Sequence, residues 1–465
     1  MDVKVKFLGA TGTVTGSRFL LDIGKFRLLF DCGLFQGLKE LRLRNWEPFP
    51  VDPESIDAVV ISHAHIDHTG YLPRLVKEGF RGPIYCTRPT ADLMEIMLLD
   101  SAKLQEEEAS FAYSKGYSKH ANPQPLYTTH DAESVFPHFK SYNYDEKIRI
   151  HDNIEIIYKD AGHLLGSAIT ELFIKGDIQT KKIVFSGDLG RNNDIMLRPP
   201  AKIEDADILF IESTYGNKDN PVLDPASELE RIIKETFARD GVVLIPAFAV
   251  GRTQVLLYYL HQLMEGDRIP DVPVYIDSPM AISATYLYYR FPEYHKVKFN
   301  QTEFARKLET NMLLFVKTSQ HSKSLNAIQK NAIIISSSGM MTGGRILHHL
   351  YHRLPNPKDT VIVAGYQAEG TRGRKLVDKD PTIRIFGEDI PVRCKIENMT
   401  SLSGHADKHE LFQWMGNFKK APKMVFTVHG EKNHIEAYSK AIQENLGWNV
   451  IQPVFLESVE LFQGI

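Results

Sequence analysis

The stretch His63-Ala64-His65-Ile66-Asp67-His68, directly after the apolar run Ala58-Val59-Val60-Ile61, decides the fold of this chain. An apolar strand that stops abruptly at His-x-His-x-Asp-His aims three imidazoles and a carboxylate into one small volume. Neutral imidazole and carboxylate suit zinc-like cations. The segment crowds in too many ligands for one tetrahedral ion, so two of them are expected to serve a second metal.

Working outward, the same pattern recurs. Ala161-Gly162-His163 follows the strand-like run 154–158, Ser186-Gly187-Asp188 follows 182–185, and Val428-His429-Gly430 follows 424–427. Each sets a candidate ligand at the end of an apolar strand, beside a glycine or small residue where the backbone turns sharply. Active sites of layered α/β proteins collect at such strand ends. A single histidine of this kind is ordinarily a core or surface residue; the repetition is what marks a site.

At 465 residues the chain exceeds one ordinary core, and two domains are expected. Hydrophobic content of 43% and charged content of 24% describe a globular protein. The opening Met1-Asp2-Val3-Lys4-Val5-Lys6-Phe7 alternates like a strand and lacks a signal-peptide core. No run approaches the roughly 20 apolar residues that span a bilayer, so no membrane partner is expected. Cys32, Cys86 and Cys394 are too scattered for a disulfide framework or a cysteine zinc site, and a cytoplasmic setting is expected. The net charge of −3 gives no overall electrostatic case for nucleic acid. One stretch leans basic: Arg290, Lys296, Lys298, Arg306, Lys307, Lys317, Lys323 and Lys330 outweigh Glu293, Glu303 and Glu309. It reads equally as a solvated helical face or as a face that tracks phosphates.

Residues 1–216 read mainly as short strands with turn signals between them and few helices, which predicts an α/β sandwich rather than a doubly wound parallel sheet. Residues 217–392 alternate strand and helix, the pattern of a parallel-sheet domain. Residues 393–465 bring strand 393–399, helix 408–417, strand 424–428 and helix 435–445. Because His429 belongs with the first cluster, this tail must return to the first domain. The middle domain is then an insertion, and the cleft between the two is the expected substrate groove. Gly9-Ala10-Thr11-Gly12-Thr13-Val14-Thr15-Gly16 is glycine-rich, yet it opens a strand and hairpin rather than a helix, so a dinucleotide loop is rejected.

Taken together, these residues resemble the metallo-β-lactamase superfamily, and within it the β-CASP ribonuclease branch, over essentially the whole length. The superfamily signature is His63-x-His65-x-Asp67-His68. The branch is marked by Glu212 in Phe210-Ile211-Glu212-Ser213-Thr214-Tyr215-Gly216, His405 in Ser403-Gly404-His405-Ala406-Asp407, and His429 in His429-Gly430-Glu431. The resemblance implies an αββα sandwich carrying an inserted parallel-sheet α/β β-CASP domain. It implies one metal on His63, His65 and His163 and another on Asp67, His68 and His429, with Asp188 between them. Asp31 resembles the family carboxylate that orients ligand imidazoles. The expected cofactors are two divalent ions, zinc by default, with manganese or iron accepted by the same ligands.

Phosphodiester hydrolysis needs a nucleophile at neutral pH, neutralised phosphoryl oxygens and a proton for the leaving alkoxide. A water ionised between two cations meets the first need. A histidine placed by a carboxylate meets the last, which suits His405 with Glu212. Glycine-rich strand-to-helix junctions in the inserted domain offer backbone N–H groups and arginines to phosphates, and point to Arg252, Ser337, Ser338 and Arg372. The expected activity is a metal-dependent ribonuclease acting on RNA. A DNA nuclease on the same scaffold and a small-substrate metallo-hydrolase are the alternatives. His429 favours RNA, because the DNA-directed relatives typically carry valine there. Endonuclease or exonuclease mode, and pairing into a homodimer, are left open by the sequence.

Overall fold

The computed structural model describes residues 1–115, 122–177, 179–220, 223–297 and 313–465. The chain divides into two compact units, Met1–Asp219 with His405–Ile465, and Asn220–Gly404.

Two seven-stranded sheets build the first unit. One runs, edge to edge, Ser458–Phe462, Val3–Phe7, Phe19–Ile23, Phe26–Phe30, Ala58–Val60, Ile84–Thr87 and Phe139–Tyr142. The other runs Val450–Ile451, Met424–Val428, Ile208–Glu212, Thr180–Phe185, Ala168–Lys175, Ile154–Asp160 and Ile148–His151. Both are mixed, with an antiparallel part and a parallel part. Alternation sets their facing sides: Val3, Val5 and Phe7 point inward while Lys4 is exposed. The shared core interleaves Phe7, Phe19, Leu21, Leu28 and Phe30 with Ile156, Leu172, Ile183, Phe185, Phe210 and Phe426. Phe30 stacks across the layers on Phe185 at 3.9 Å, and Phe185 stacks on Phe210 within the second sheet at 4.3 Å. Helices Lys408–Met415 and Lys432–Leu446 cover the outer face of the second sheet through Leu411, Trp414, Met415, Tyr438 and Ile442. Helix Arg88–Lys115 lies against the first sheet. This is an αββα sandwich.

The second unit holds a six-stranded, wholly parallel sheet in the order Leu313–Phe315, Val274–Asp277, Ile333–Ser336, Val243–Pro246, Thr360–Ala364 and Lys395–Met399. Continuous apolar runs such as Ile333-Ile334-Ile335 suit strands covered on both faces. The boundary expected at 393 shifts. Lys395–Met399 pairs residue for residue with Thr360–Ala364, so it closes this sheet, and the chain rejoins the first unit only at His405. The strand's own sequence names no partner, because backbone pairing is supplied by whichever edge is free.

Within the basic stretch, Lys298, Arg306, Lys307, Glu303 and Glu309 lie outside the described residues. Arg290 ends helix Pro279–Arg290, and Lys330 pairs with Asp240 at 3.6 Å. Among the described residues no helix is long and apolar enough to cross a membrane.

Candidate metal centre

Strand direction gathers the candidate ligands of the first unit. Asp31 follows Phe26–Phe30, and the His63–His68 turn follows the parallel neighbour Ala58–Val60. Asp188, Glu212 and His429 stand at the C-terminal ends of Thr180–Phe185, Ile208–Glu212 and Met424–Val428, which are parallel. His163 follows Ile154–Asp160, two antiparallel pairings away and therefore pointing the same way. Asp31 and His429 carry φ of +56° and +51°, a left-handed turn that leaves the side chain at the strand mouth. The ligand-bearing turn also needs a glycine beneath it: a Cβ on Gly33 would fall 1.5 Å from the Asp67 carbonyl oxygen.

Two groups of donor atoms result. In the first, His63 Nε2 lies 3.0 Å from His65 Nδ1, and His163 Nε2 lies 3.3 Å from the same atom. In the second, His68 Nε2 lies 3.1 Å from His429 Nε2, and Asp67 Oδ2 lies 3.5 Å from that His429 atom. Asp188 faces both groups. Its Oδ2 stands 3.6 Å from His63 and 3.7 Å from His163, and its Oδ1 stands 3.5 Å from His68 Nε2. A tetrahedral ion with ligands at about 2.0–2.1 Å needs ligand-to-ligand edges of about 3.3 Å. These spacings fit that requirement in both groups. The fit is supported by Asp188 Oδ1, which is buried and takes no hydrogen bond. The chain thus carries buried His/Asp clusters suited to divalent metal.

Hydrogen bonds behind the donors hold them in place. Asp31 Oδ2 accepts from His68 Nδ1 at 2.7 Å, and its Oδ1 accepts from the Ser62 N–H at 2.8 Å. Ser62 and Ser17 hydroxyls donate to Asp31 Oδ2 at 3.0 and 3.1 Å. Thr214 Oγ1 lies 3.2 Å from His429 Nδ1, and the Thr214 carbonyl lies 2.7 Å from His434 Nδ1. Glu212 Oε1 accepts from the Leu189 N–H at 2.7 Å and stands 3.4 Å from His405 Nδ1. His405 also comes within 4.0 Å of Asp188. Ser62, Ser17, Thr214 and His434 carried no signal in the sequence beyond adjacency to a motif.

Burial and opposed charges set the electrostatics. Burial, and then the neighbouring His68, push His63 well below the ordinary imidazole value. His65 falls to about 4, with burial outweighing the pull of Asp67 and Asp188. Burial opposes charge on His68 too, yet Asp188, Asp31 and Asp67 together raise it well above normal. For Asp67 burial acts upward, and His68, the His429 hydrogen bond and the charges of His429 and His65 override it to about 2. For His405 burial acts downward, and Glu212 overrides it, raising the imidazole. A negative field strong enough to charge a buried imidazole equally favours a divalent cation.

The phosphate candidates all lie in the second unit. Arg252 opens helix Arg252–Glu265 behind Gly251, whose φ is +80°. Ser337 Oγ donates to Ser278 Oγ at 3.0 Å, and Ser338 Oγ accepts from the Thr342 N–H at 3.0 Å. Arg372 is already engaged within its own unit. Its guanidinium donates to the carbonyls of Arg384, Met341 and Thr342 at 2.8, 3.2 and 3.1 Å, tying a loop to a hairpin. These bonds fix the direction of the guanidinium, an arrangement the sequence does not announce.

A four-layer sandwich with clustered histidines and aspartates at its strand mouths, and a parallel-sheet unit inserted before the last ligand, defines a metallo-β-lactamase-type protein. The chain matches the metallo-beta-lactamase superfamily domain over residues 20–206, the Beta-Casp domain over 253–376, and a Zn-dependent metallo-hydrolase RNA specificity domain over 389–453. It belongs to the β-CASP family of the metallo-β-lactamase superfamily. Ribonuclease TTHA0252 of Thermus thermophilus is 37% identical over 437 residues, spanning 93% of this chain and 94% of its own. An RNase J-like protein of Methanocaldococcus jannaschii is 32% identical, spanning 97% of this chain and 98% of its own. The transcription termination factor FttA of the same organism is 30% identical, spanning 99% of this chain and 72% of its own. Among solved structures, a protein of unknown function from Enterococcus faecalis shares the fold, with TM-score 0.55, 14% identity and coverage of 99% of this chain and 100% of that one.

Proposed function

We propose that this chain is a metal-dependent ribonuclease that hydrolyses RNA phosphodiester bonds. The observation that carries the reading is the sharing of Asp188 between two donor groups, His63/His65/His163 and Asp67/His68/His429. We assign one divalent ion to each group, with zinc as the default for imidazole and carboxylate donors. Bound there, divalent ions would supply Lewis acidity, activating water and neutralising charge on the phosphoryl oxygens.

The side chains supply the rest. Asp31 keeps the Nδ1 proton on His68 and so leaves Nε2 free to ligate. Glu212 anchors His405 beside Asp188 and favours its protonated form, which suits it to give a proton to the leaving oxygen. In the second unit, Arg252, Ser337 and Ser338 are our candidates for contacts to RNA phosphates. Support for RNA as substrate comes from the ribonuclease relative, which matches over nearly its full length, and from the RNA specificity domain match.

Metal analysis combined with digestion of end-labelled RNA and matched DNA tests the reading. Two ions per chain and faster cleavage of RNA are expected. Cleavage of DNA at an equal or greater rate would overturn the substrate, and a metal-free chain that still cleaves would overturn the site.

A further inference from the structure

Outside the donor cluster, the first unit carries a column of alternating cations and rings that runs from core to surface. The buried Arg18 guanidinium lies 4.1 Å from the Tyr71 ring and 5.0 Å from the Phe35 ring. Arg44 in turn lies 5.5 Å from Phe35 and 4.1 Å from Phe455. Tyr71, Arg18 and Phe35 are buried, whereas Arg44 and Phe455 are half-buried at the outer end. In the two segments that carry that end, Leu43 and Trp46 are each 51% exposed, Val454 64% and Leu456 44%. These are four of the nine large exposed apolar side chains among the described residues, concentrated in two short segments. Such a concentration marks a binding surface.

Backbone bonds place this end beside the donor cluster. Phe7 donates to the Glu457 carbonyl at 2.9 Å and accepts from the Leu456 N–H at 2.7 Å. Three residues on, the Ala10 carbonyl accepts from the His429 N–H at 2.8 Å. Leu34, next to Phe35, donates to the Ile66 carbonyl at 2.9 Å, immediately before Asp67. Segments that carry the column are therefore hydrogen-bonded to segments that carry the candidate ligands.

We infer that Trp46, Arg44 and Phe455 form a stacking platform for an unpaired base of single-stranded RNA at the rim of the metal centre. The inference rests on the ribonuclease reading above. Ring and guanidinium faces take any base, because every base has a π face. Lys39, Arg42 and Arg44 balance Glu40, Glu47 and Glu457 over the two segments, and the Arg44 guanidinium set between Phe35 and Phe455 suits a base and its phosphate better than an apolar contact between two copies of the chain. Buried Arg18 braces the column from within, through hydrogen bonds to the Gly33 carbonyl at 2.8 Å and Asn45 Oδ1 at 3.4 Å, so the platform is preorganised.

The test titrates the metal-loaded full chain with a short single-stranded RNA whose phosphorothioate linkages resist cleavage and which carries a 2-aminopurine base. Trp46→Ala and Arg44→Gln are each compared with the unaltered chain, with circular dichroism melts as the check on folding. A rise in Kd of roughly five- to a hundredfold, with relief of 2-aminopurine quenching, is expected, and a duplex of the same length should show neither effect. Unchanged Kd and quenching in folded variants overturn the platform while leaving the ribonuclease reading intact. Should sedimentation show a dimer that Trp46→Ala dissociates, with RNA affinity unchanged, the surface belongs to a second copy. A chain that neither binds nor cleaves RNA overturns both readings.

Discussion

His68 faces carboxylates on both sides, and the division of labour between them is what makes it a usable ligand. Asp31 accepts a hydrogen bond from Nδ1–H at 2.7 Å, and Asp188 stands 3.5 Å from Nε2. Without Asp31 only the Ser62 hydroxyl, 3.3 Å from Nδ1, would be left to hold the ring and its tautomer. Asp31→Ala is therefore expected to weaken metal binding about 10- to 100-fold, read by competition with a chromophoric chelator. His405 tests the other role. It sits at the edge of a third acidic group with Asp188 and Glu212, a position open either to a proton donor or to a ligand. As proton donor, His405→Asn loses about 10²- to 10⁴-fold in kcat while both ions stay bound; loss of one ion on metal analysis would make it a ligand instead. At this scale the sequence was informative wherever a donor ended an apolar run beside a turn residue, as at His63, His163, Asp188 and His429. It was silent on Ser62, Ser17 and Thr214. A hydroxyl acquires its role only from neighbours that folding brings to it, 31 residues away for Ser62's bond to Asp31 and 215 for Thr214's bond to His429.

Elements translate those residues into place, and caps and glycines do much of the positioning. Helix Lys408–Met415 begins with a capping box, in which Asp407 accepts from the Glu410 N–H at 2.9 Å and Glu410 accepts from the Asp407 N–H at 3.1 Å. The other Glu410 oxygen accepts from the Asn192 N–H at 2.9 Å, so the cap ties the loop of His405 to the loop after Asp188. Asp407→Ala should cost about 1 kcal/mol of stability in urea denaturation. It should also lower kcat by more than KM changes, since His405 lies two residues upstream. The short strands of the sandwich were legible where alternation or a short apolar run coincides with punctuation, as in Val3–Phe7 and Phe26–Phe30. Edge strands such as Phe139–Tyr142, with only half-buried and exposed residues, lack the apolar signal. Lys395–Met399 was readable as a strand but not as a member of its sheet, because pairing partners are set by topology.

For the molecule as a whole, the alternation of strand and helix between 217 and 392 and the late candidate ligand His429 together pointed to an insertion, since a ligand that closes a site must return to it. What the sequence did not reveal is how the inserted unit secures its own core. Asp277, fully buried at the end of Val274–Asp277, accepts from Arg345 at 2.7 Å, His349 at 2.7 Å and the Ser322 hydroxyl at 2.5 Å. Burial alone would raise this carboxyl, but hydrogen bonds from His349, Ser322 and Arg345 outweigh it and hold the group below its ordinary value. Folded Asp277 therefore binds a proton more weakly than the unfolded chain. Its stabilisation is complete above about pH 4 and drains away as pH falls through the lowered value. Asp277→Asn should accordingly be less stable at neutral pH, by about 1.5–3 kcal/mol as the donors around it lose a charged acceptor, and should lose less of its remaining stability on acidification below pH 4. The donor cluster lies in the other unit, so a chelator should lower the melting of Met1–Asp219 with His405–Ile465 by removing ligand-linked stability. Calorimetry with and without chelator, on both forms of the chain, separates the two effects. A chelator shift that depends on Asp277, or an acid transition that Asp277→Asn leaves unaltered, would break this assignment of stability to separate units.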